Sequence, residues 1–383
     1  MMSVEKVLIV GAGVGGLATA AALGQRGVAV EVVEVRADNH VLGVGINQPA
    51  NSLRALDAIG VLEQCLAAGY QYDRNAFFDW QGTPVVEVPT SMGDDRIPAN
   101  NALSRKDLQT ILLTAATEAG ATITNGVTVD TVENGPDAVS VGFTDGRTAT
   151  YDLVIGADGY RSPLRRKLFG NLGEPQFTGY AVWRLMRPRP QEVTHTMLFQ
   201  GDGTKAGLIP LSEDTMYLLH VTPEPGNPKH DPAQFDTLLK DRLAGYGGII
   251  GQVRESITGP EGIVYSPLSE VSLPAPWFSG RTVIIGDAAH ASAPHLTQGA
   301  AMALEDAVIL AEELQNKSSV SDALQCFMER RFERAKLVQD VSHAILFGEM
   351  AVTEEALPHA VEHMREALPG QMATVETILN QAA

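Results

Sequence analysis

The chain has 383 residues, 44% of them hydrophobic, which is enough for one large core or two smaller ones. Its formal net charge of −18 argues against nucleic acid and anionic membrane surfaces as partners, and otherwise describes a well-solvated surface. The two cysteines, Cys65 and Cys326, are too few for a disulfide framework, so a reducing cytoplasm is expected.

Neither a leader nor a membrane span is expected. The first residues carry no basic segment and no cleavage site of a secretory signal, and the apolar run at residues 4–10 leads directly into a glycine-rich turn. No apolar run approaches the roughly 18 residues that a membrane-spanning helix needs.

The first segment of the chain alternates strand and helix patterns around that turn. Residues 7–10 (Val-Leu-Ile-Val) predict a strand, and residues 11–16 (Gly-Ala-Gly-Val-Gly-Gly) predict a tight turn that opens a helix of small side chains. Residues 28–33 predict a second, parallel strand that ends in Glu34. The order of strand, turn, helix and strand is typical of a dinucleotide-binding unit.

Three glycines and one acid in this segment have separate physical roles. Gly11 permits the turn, Gly13 lets the backbone approach a pyrophosphate closely, and Gly16 lets the helix pack on the strand. The free amides of the first helical turn would face phosphate oxygens. Glu34 stands 23 residues after Gly11, close to the spacing at which an acid binds an adenosine ribose. The segment predicts a dinucleotide site and leaves NAD and FAD open.

A loop, a helix and a hairpin are predicted next. Arg36 follows the acid and could reach a phosphate, although an exposed loop arginine fits equally well. Glycine-spaced residues 43–47 predict a loop, and residues 51–59 predict a helix that ends at Gly60. Residues 77–88 predict a hairpin.

A second helix start is predicted at Ser104. This serine is expected to cap a helix that runs to Ala119, with Asp107 at the third helical position. Arg105 is thereby placed in the first turn. The following residues, 121–154, alternate in short β patterns, with Asp145-Gly146 as a hairpin turn.

Two further buried strands are predicted to end in turns that carry an aspartate. Residues 152–156 lead into Ala157-Asp158-Gly159, and Ser162 with Pro163 then begins a basic helix. Residues 281–285 lead into Gly286-Asp287, and the loop at residues 293–299 precedes a helix over residues 300–314. We expect these two turns and the glycine-rich turn to converge on one cleft.

The β-rich stretches suggest a second, discontinuous domain. Strands are predicted over residues 180–186, 196–200, 206–209 and 216–221, and one helix over residues 232–246. The predicted division is a dinucleotide-binding domain of residues 1–70, 100–175 and 280–350, a β-rich substrate domain of residues 71–99 and 176–279, and a C-terminal helix within residues 351–383. A long helix over residues 321–346 precedes that last one.

The order of the three motifs resembles the single-component flavoprotein aromatic hydroxylases, the group A monooxygenases with the p-hydroxybenzoate hydroxylase fold. The resemblance covers residues 7 to about 348 and is closest to members that act on salicylate, hydroxypyridines and phenazines. It implies an α/β fold in which a Rossmann-like FAD-binding domain is joined to a β-rich substrate domain and C-terminal helices.

The same resemblance implies FAD as cofactor, NADPH or NADH as a transient co-substrate, and O2 and a small aromatic compound as substrates. In the family, the first motif holds the ADP part of FAD, the motif of Asp158 serves FAD and the nicotinamide, and Asp287 binds the ribityl chain. Arg105 matches an arginine near the flavin phosphates. The cofactor-binding residues implied are Gly11, Gly13, Val14, Gly16, Glu34, Arg36, Arg105, Asp158, Gly286, Asp287, Pro294, Gln298 and Gly299.

One position departs from the family pattern. The loop that usually has the sequence Pro-x-x-Gly-Gln-Gly has Thr297 in place of its first glycine. The amides of Leu296, Gln298 and Gly299 could still face the flavin pyrimidine. The departure bears on the local geometry at the flavin and not on its presence.

In the family, oxygen adds at the flavin C4a carbon and the resulting hydroperoxide hydroxylates an electron-rich ring. The flavin supplies this chemistry, while the protein supplies position and a dry pocket. A base near a phenolic substrate would raise the rate, typically by 10²–10⁴-fold. The protein's own contribution is therefore expected in a few polar side chains of an apolar cleft.

Two histidines are candidates for that catalytic role. His295 directly follows Pro294 on the predicted flavin loop. His220 lies on a predicted strand and shares a face with Met216 and Leu218, where a packed, hydrogen-bonded histidine is the alternative.

Substrate contacts are expected from three residues. Arg184 could pair with a substrate carboxylate, or form a surface ion pair. Tyr217 is expected either in the core or in the cleft wall, and Pro294 is the third candidate.

Two alternatives remain open at the level of sequence. The same fold could carry out epoxidation, oxidative decarboxylation or natural-product tailoring, or a flavin-binding protein could have lost turnover. A halogenase is less favoured because no Trp-x-Trp-x-Ile-Pro segment occurs, and a Baeyer–Villiger enzyme because a second G-x-G-x-x-G is absent from the sequence. No metal site is predicted, and a monomer or a homodimer is expected.

Overall fold

The computed structural model describes residues 2–38 and 44–381. Its strands, in chain order, are β1 (Lys6–Val10), β2 (Ala29–Glu34), β3 (Gly45–Pro49), β4 (Tyr70–Tyr72), β5 (Arg74–Asp79), β6 (Pro84–Pro89), β7 (Asn100–Ser104), β8 (Thr122–Asn125), β9 (Val129–Asn134), β10 (Val139–Phe143), β11 (Thr148–Tyr151), β12 (Leu153–Gly156), β13 (Gln176–Pro188), β14 (Thr196–Gln200), β15 (Lys205–Pro210), β16 (Thr215–Pro223), β17 (Ile263–Glu270), β18 (Phe278–Ser279) and β19 (Thr282–Ile284).

The α-helices of the same part of the chain are α1 (Val14–Gly24), α2 (Ala50–Ala58), α3 (Leu62–Ala68), α4 (Arg105–Glu118), α5 (Pro163–Phe169), α6 (Phe235–Arg242), α7 (Gly248–Glu255), α8 (Asp287–His290), α9 (Gly299–Asn316), α10 (Val320–Met350) and α11 (Leu357–Leu379). Short 3₁₀ turns lie at Pro232–Gln234, Pro294–Leu296 and Glu354–Ala356.

A six-stranded sheet carries the three predicted motifs. Its order is β18-β19-β12-β1-β2-β8, and the strands from β19 to β8 run parallel. The four residues Val7, Leu8, Ile9 and Val10 of β1 are buried, as are all of β12, because helices cover this sheet. Parallel strands place their carboxyl ends at one edge, so the turns after β1, β12 and β19 meet there.

A seven-stranded sheet forms the second layer of the molecule. Its order is β17-β13-β16-β15-β14-β5-β6, which joins the predicted hairpin to the strands predicted after residue 176. Alternate residues of its strands pack on α6 and α7 in a separate core that includes Trp183, Leu218 and Ile250. The opposite face is turned toward the motif-bearing edge of the first sheet.

Two local predictions were wrong. The predicted loop at residues 43–47 begins at Gly43, outside the described residues, but Gly45 onward forms β3, which pairs antiparallel with β7. The predicted single helix over residues 232–246 is a 3₁₀ turn followed by α6, which ends at Arg242. Three glycines lie within the next six residues, and the last of them, Gly248, with φ +54°, starts the separate helix α7.

The C-terminal helices connect the two sheets. The long helix α10 packs along α9, and its last turns reach the second sheet, where Leu346 and Met350 contact Val182 and Val221. Helix α11 then crosses back and packs on β6. In residues 2–38 and 44–381, no helix combines the length and the apolar content that crossing a membrane requires.

Candidate active site

A cavity of about 570 Å³ lies between the motif-bearing edge of the first sheet and the open face of the second. All three motif turns reach it: the first through Gly13, Val14 and Gly15, the second through Ala157 and Gly159, and the third through Gly286 and Asp287. Segments far apart in sequence therefore share one cleft, as the sequence predicts.

The glycines of the first turn differ in what surrounds them. Gly11 has φ +107°, and a side chain there would collide with the carbonyl of Ala157. A side chain at Gly16 would collide with the carbonyl of Gly11. At Gly13 a Cβ atom would meet no described atom within 4 Å, and Gly13 lines the cavity. Two of the glycines thus serve close packing inside the protein, and Gly13 leaves room for a ligand.

Glu34 holds the first turn in shape. Its carboxylate accepts hydrogen bonds from the amides of Ala12 at 2.9 Å and Arg36 at 3.0 Å. Glu34 and Arg36 lie at the end of β2, outside the lining of this cavity. Their predicted contact with an adenosine ribose or a phosphate stays a prediction.

Asp158 and its neighbours fix the second turn. One carboxylate oxygen of Asp158 accepts from the amide of Leu164 at 3.1 Å, whereas the other is buried with no hydrogen-bond partner among the described residues. Burial raises the pKa of Asp158. Ser162 caps α5, and Arg165 donates to the carbonyl of Ala288 at 2.6 Å, which ties the second turn to the third. Asp158 itself does not line the cavity.

A network of buried ion pairs and hydrogen bonds holds the third turn in place. The amide of Gly286, at φ +58°, donates to Asp306 at 2.9 Å, and His290 contacts the same carboxylate at 2.7 Å. Arg331 binds Asp306 at 2.8 Å and Glu305 at 2.5 Å. The side chain of Asp287 is left exposed and lines the cavity.

The loop before α9 forms part of the cavity wall. Pro294, Thr297 and Gly299 line it, while the buried amide of Gln298 pairs with Asn51 at 2.9 and 3.2 Å. Among the described residues, no side chain caps the start of α9 or of α1. The first-turn amides of both helices lack intrahelical acceptors and favour an anion.

These observations fit a bound FAD. The uncapped start of α1 with the opening at Gly13 suits a pyrophosphate. Asp287 and the start of α9, across the same cavity, offer an acceptor and amide donors to the polar edge of the flavin.

Thr297 adopts a left-handed backbone conformation, which glycine enters without strain. Its φ of +56° and ψ of +21° are left-handed, a region that β-branched residues rarely enter. Its hydroxyl donates to the carbonyl of Leu296 at 2.7 Å. Thr297 therefore holds a conformation that suits glycine better, at a cost in strain.

We expect Thr297→Gly to raise the free energy of unfolding by about 0.5–1 kcal/mol, because the strain it relieves exceeds the entropy it adds. Denaturant midpoints of the FAD-loaded protein measure this. Thr353→Gly, at an ordinary φ of −94°, is the control and should lower stability. A loss of stability in Thr297→Gly would contradict the inference that the backbone at Thr297 is strained.

Six strands of the second sheet contribute residues to the cavity. They are Leu268 of β17, Val182 and Arg184 of β13, Tyr217, Leu219 and Val221 of β16, Lys205 and Ile209 of β15, Thr196 and Leu198 of β14, and Asn75 and Phe77 of β5. Arg184 makes no hydrogen bond or ion pair to any described residue. Burial and the nearby Arg105 lower its pKa to about 10, so it remains charged at neutral pH.

Three charged or titratable side chains meet at another corner of the cavity. Lys205 pairs with Glu349 of α10 at 2.7 Å, and His295 Nε2 lies 3.5 Å from the same carboxylate. Both ring nitrogens of His295 are buried and have no hydrogen-bond partner among the described residues. Burial and Lys205 lower the pKa of His295 to about 2, so its ring is neutral.

His220 lies on the other face of β16, away from the cavity. Its ring nitrogens contact the carbonyl oxygens of Lys205 at 3.0 Å and Arg242 at 3.1 Å. Burial lowers its pKa to about 4. The structure gives His220 the packed, hydrogen-bonded position that the sequence left as its alternative, so it has no part in the mechanism proposed below.

Several cavity residues were not singled out from the sequence. Lys205 precedes the predicted strand by one residue, and Glu349 follows the predicted end of the long helix. Leu368 and Met372 of α11 complete the wall. A lysine at the start of an otherwise apolar strand was the one signal that pointed to this corner.

The fold and the cavity fit a flavoprotein that would bind FAD at the carboxyl edge of its parallel sheet. A family model described as FAD binding domain matches residues 5–342, and the chain belongs to that family. The predicted group A resemblance and fold are confirmed, and the protein is an FAD-dependent monooxygenase.

Three similar proteins illustrate the relationship. YetM of Bacillus subtilis, provisionally named an FAD-dependent monooxygenase, is 35% identical over 345 residues, 89% of this chain and 93% of its own. The 2-heptyl-3-hydroxy-4(1H)-quinolone synthase of Pseudomonas aeruginosa is 31% identical over 88% of this chain and 87% of its own. The crystal structure of Klebsiella pneumoniae HpxO complexed with FAD and uric acid has a TM-score of 0.88 at 23% identity, covering 98% of this chain and 97% of that one.

Proposed function

We propose that the protein uses NADPH or NADH and O2 to hydroxylate an aromatic or N-heteroaromatic ring that carries an anionic or ionisable group. The observation that carries this proposal is the charged side chain of Arg184, which has no acidic partner among the described residues and faces the cavity that the flavin turns also line. The ring substrates in the names of the similar proteins support the same class.

Arg184 and Tyr217 form the proposed anchor for the substrate. Arg184 is half-buried, and a partly desolvated guanidinium without a counter-charge is unfavourable unless a ligand provides one. A carboxylate or phenolate oxygen would supply that charge and accept two parallel hydrogen bonds from the guanidinium fork. Tyr217, also in the cavity wall, offers a hydroxyl to the same group.

His295 is the proposed partner of the substrate's hydroxyl or ring N–H. As a neutral imidazole, His295 can accept a hydrogen bond from that group. This hydrogen bond would raise the electron density of the substrate ring, which is the ring that is hydroxylated. Glu349, held by Lys205, lies where it would stabilise any positive charge that develops on the imidazole. Pro294 fixes the backbone directly before His295.

The redox and oxygen-activating chemistry would come from the flavin when it is bound. The remaining lining of the sheet face is largely apolar, with Val182, Leu219 and Leu198 among the residues that exclude water. The two cysteines are free, which supports a reducing compartment.

A panel of aromatic acids and N-heteroaromatics tests the proposal. The FAD-loaded enzyme should oxidise NADPH or NADH faster with the right compound, and the product should gain one oxygen by mass. A product of epoxidation or decarboxylation would assign the alternative chemistry of the fold. Consumption of the nicotinamide that no compound stimulates would contradict hydroxylation.

We expect His295→Asn to lower kcat by about 10- to 100-fold with unchanged flavin content, since one hydrogen bond to the reacting group is lost. His343→Asn, an exposed histidine on α10, is the matched control and should keep full activity.

The pH dependence of kcat provides a second test of the role of His295, because it reports the protonation state of the ring. A histidine with an ordinary pKa would gain a proton as the pH falls through about 6.5. The lowered pKa keeps His295 neutral throughout that range, so kcat should show no acid limb near pH 6.5. An acid limb there that disappears in His295→Asn would show that the ring titrates normally.

A further inference from the structure

Residues paired on neighbouring strands form a row across the second sheet, and all of them are apolar except the arginine at one end. In register it begins with Arg184 and continues through Leu219, Gly207, Leu198 and Phe77. The row crosses four strand spacings, about 19 Å at the usual distance between strands. The cavity wall therefore runs well past the anchor at Arg184.

Helix α11 supplies apolar side chains to the same cavity. Its stripe of half-buried and buried residues follows helical spacing, and the members are Val361, Met364, Leu368, Met372, Val375 and Leu379. Leu368 and Met372 line the cavity together with Leu198 and Phe77, and both remain half-exposed. Half-exposed apolar side chains that face one another across a cavity gain free energy when an apolar group fills it.

The C-terminal end of α11 is held firmly on the body of the protein. Glu376 is buried and accepts hydrogen bonds from Thr90 and from the amide and hydroxyl of Ser91, both at 2.9 Å for the serine. Arg334 donates to the carbonyls of Ile378 at 2.9 Å and Leu379 at 2.8 Å. Leu368 and Met372 thus occupy a defined place over the cavity.

We propose that the substrate carries an apolar chain of several carbons on its ring, and that Leu368 and Met372 bind this chain against Leu198 and Phe77. The inference rests on the proposed function, because the ring must first be held between Arg184 and the flavin. The two helix residues act as specificity determinants for chain length.

Binding of 4-n-alkylphenols with chains of one, three, five and seven carbons tests the inference. The ligands are titrated into the oxidised, FAD-loaded full-length protein, and the change in flavin absorbance gives Kd. Burial of each added methylene should lower Kd by about fourfold. Leu368→Gln and Met372→Gln should flatten this dependence on chain length. Leu172→Gln, at an exposed leucine outside the cavity, is the matched control and should keep the slope.

The titrations have results that contradict the chain site, its assignment to α11, or the proposed function. A Kd that does not change with chain length, or no binding by any member of the series, overturns the inference. A slope that persists undiminished in Leu368→Gln and Met372→Gln overturns the assignment to α11. An enzyme that hydroxylates short aromatic acids but shows no slope contradicts the chain site alone, whereas failure of turnover with every ring contradicts the proposed function.

Discussion

Replacement of Arg184 by methionine should weaken the binding of an aromatic carboxylate or phenolate by about 30-fold or more, without destabilising the folded protein. The loss in affinity follows from removing one partner of a buried, hydrogen-bonded charge pair, which costs about 2–5 kcal/mol. Binding is measured by titration of the oxidised holoenzyme with the best acid of the panel.

The free energy of unfolding of Arg184→Met distinguishes an arginine that binds a ligand from one that stabilises the fold. Arg184 is half-buried in the cavity wall and has no acidic partner among the described residues, and the desolvation of its guanidinium lowers its pKa. Methionine of similar length removes a desolvated charge, so the free energy of unfolding of the ligand-free protein should stay constant or rise.

Arg187→Met, on the same strand and outside the cavity lining, is the control for the binding measurement and should leave Kd unchanged. An unchanged Kd in Arg184→Met, or a clear loss of stability, would place Arg184 in the framework of the fold instead.

Replacement of Arg331 by methionine should lower the free energy of unfolding by about 3–5 kcal/mol, the usual cost of leaving a buried charge unpaired. Arg331 is fully buried and binds both Glu305 and Asp306. Its removal leaves two carboxylates in the core with less compensation. Because Asp306 also accepts from the amide of Gly286, FAD affinity should fall as well.

The pH dependence of stability gives this prediction a second readout. His290 and Arg331 overcome the burial of Asp306 and lower its pKa to about 2, against 3.8 ordinarily. A lowered carboxyl pKa contributes stability that is present above about pH 4 and is lost as the pH falls toward 2. That acid limb should be weaker in Arg331→Met.

Arg365→Met, which removes an exposed ion pair with Glu362, is the control and should change little. Equal stability of Arg331→Met and the wild type would mean that the network does not hold the third turn.

The parts of the site that sequence predicts well are those encoded locally. Gly11, Gly13 and Gly16 are spaced within one turn, and Ser104 caps its helix through the amide of Asp107, as predicted. The aspartates after β12 and β19 follow buried strands directly. Each of these features depends on residues a few positions apart, whose conformation the turn or the helix start itself dictates.

The site residues of the second sheet were harder to predict from the sequence. The alternation of side chains along a strand defines two faces of the sheet but does not identify the face that lines the cavity. His220 and Tyr217 are on opposite faces of β16. His220 contacts the carbonyl of Arg242 at the end of α6, whereas Tyr217 lines the cavity. Lys205 and Glu349 come together across 144 residues of sequence. Leu368 and Met372 reach the site only because α11 crosses back over β6. Such contacts depend on tertiary packing and leave no local pattern.

The affinity and stoichiometry of FAD for flavin-free protein test the central claim most directly, namely that turns from three strands bind one FAD beside the substrate sheet. We expect one FAD per chain. Gly13→Val, which fills the opening in the first turn, and Asp287→Ala, in the third, should each weaken binding at least about tenfold. Gly245→Ala, at an open position away from the cavity, should bind FAD normally. Substoichiometric binding at saturation, or equal affinity in Gly13→Val, Asp287→Ala and the wild type, would contradict the claim.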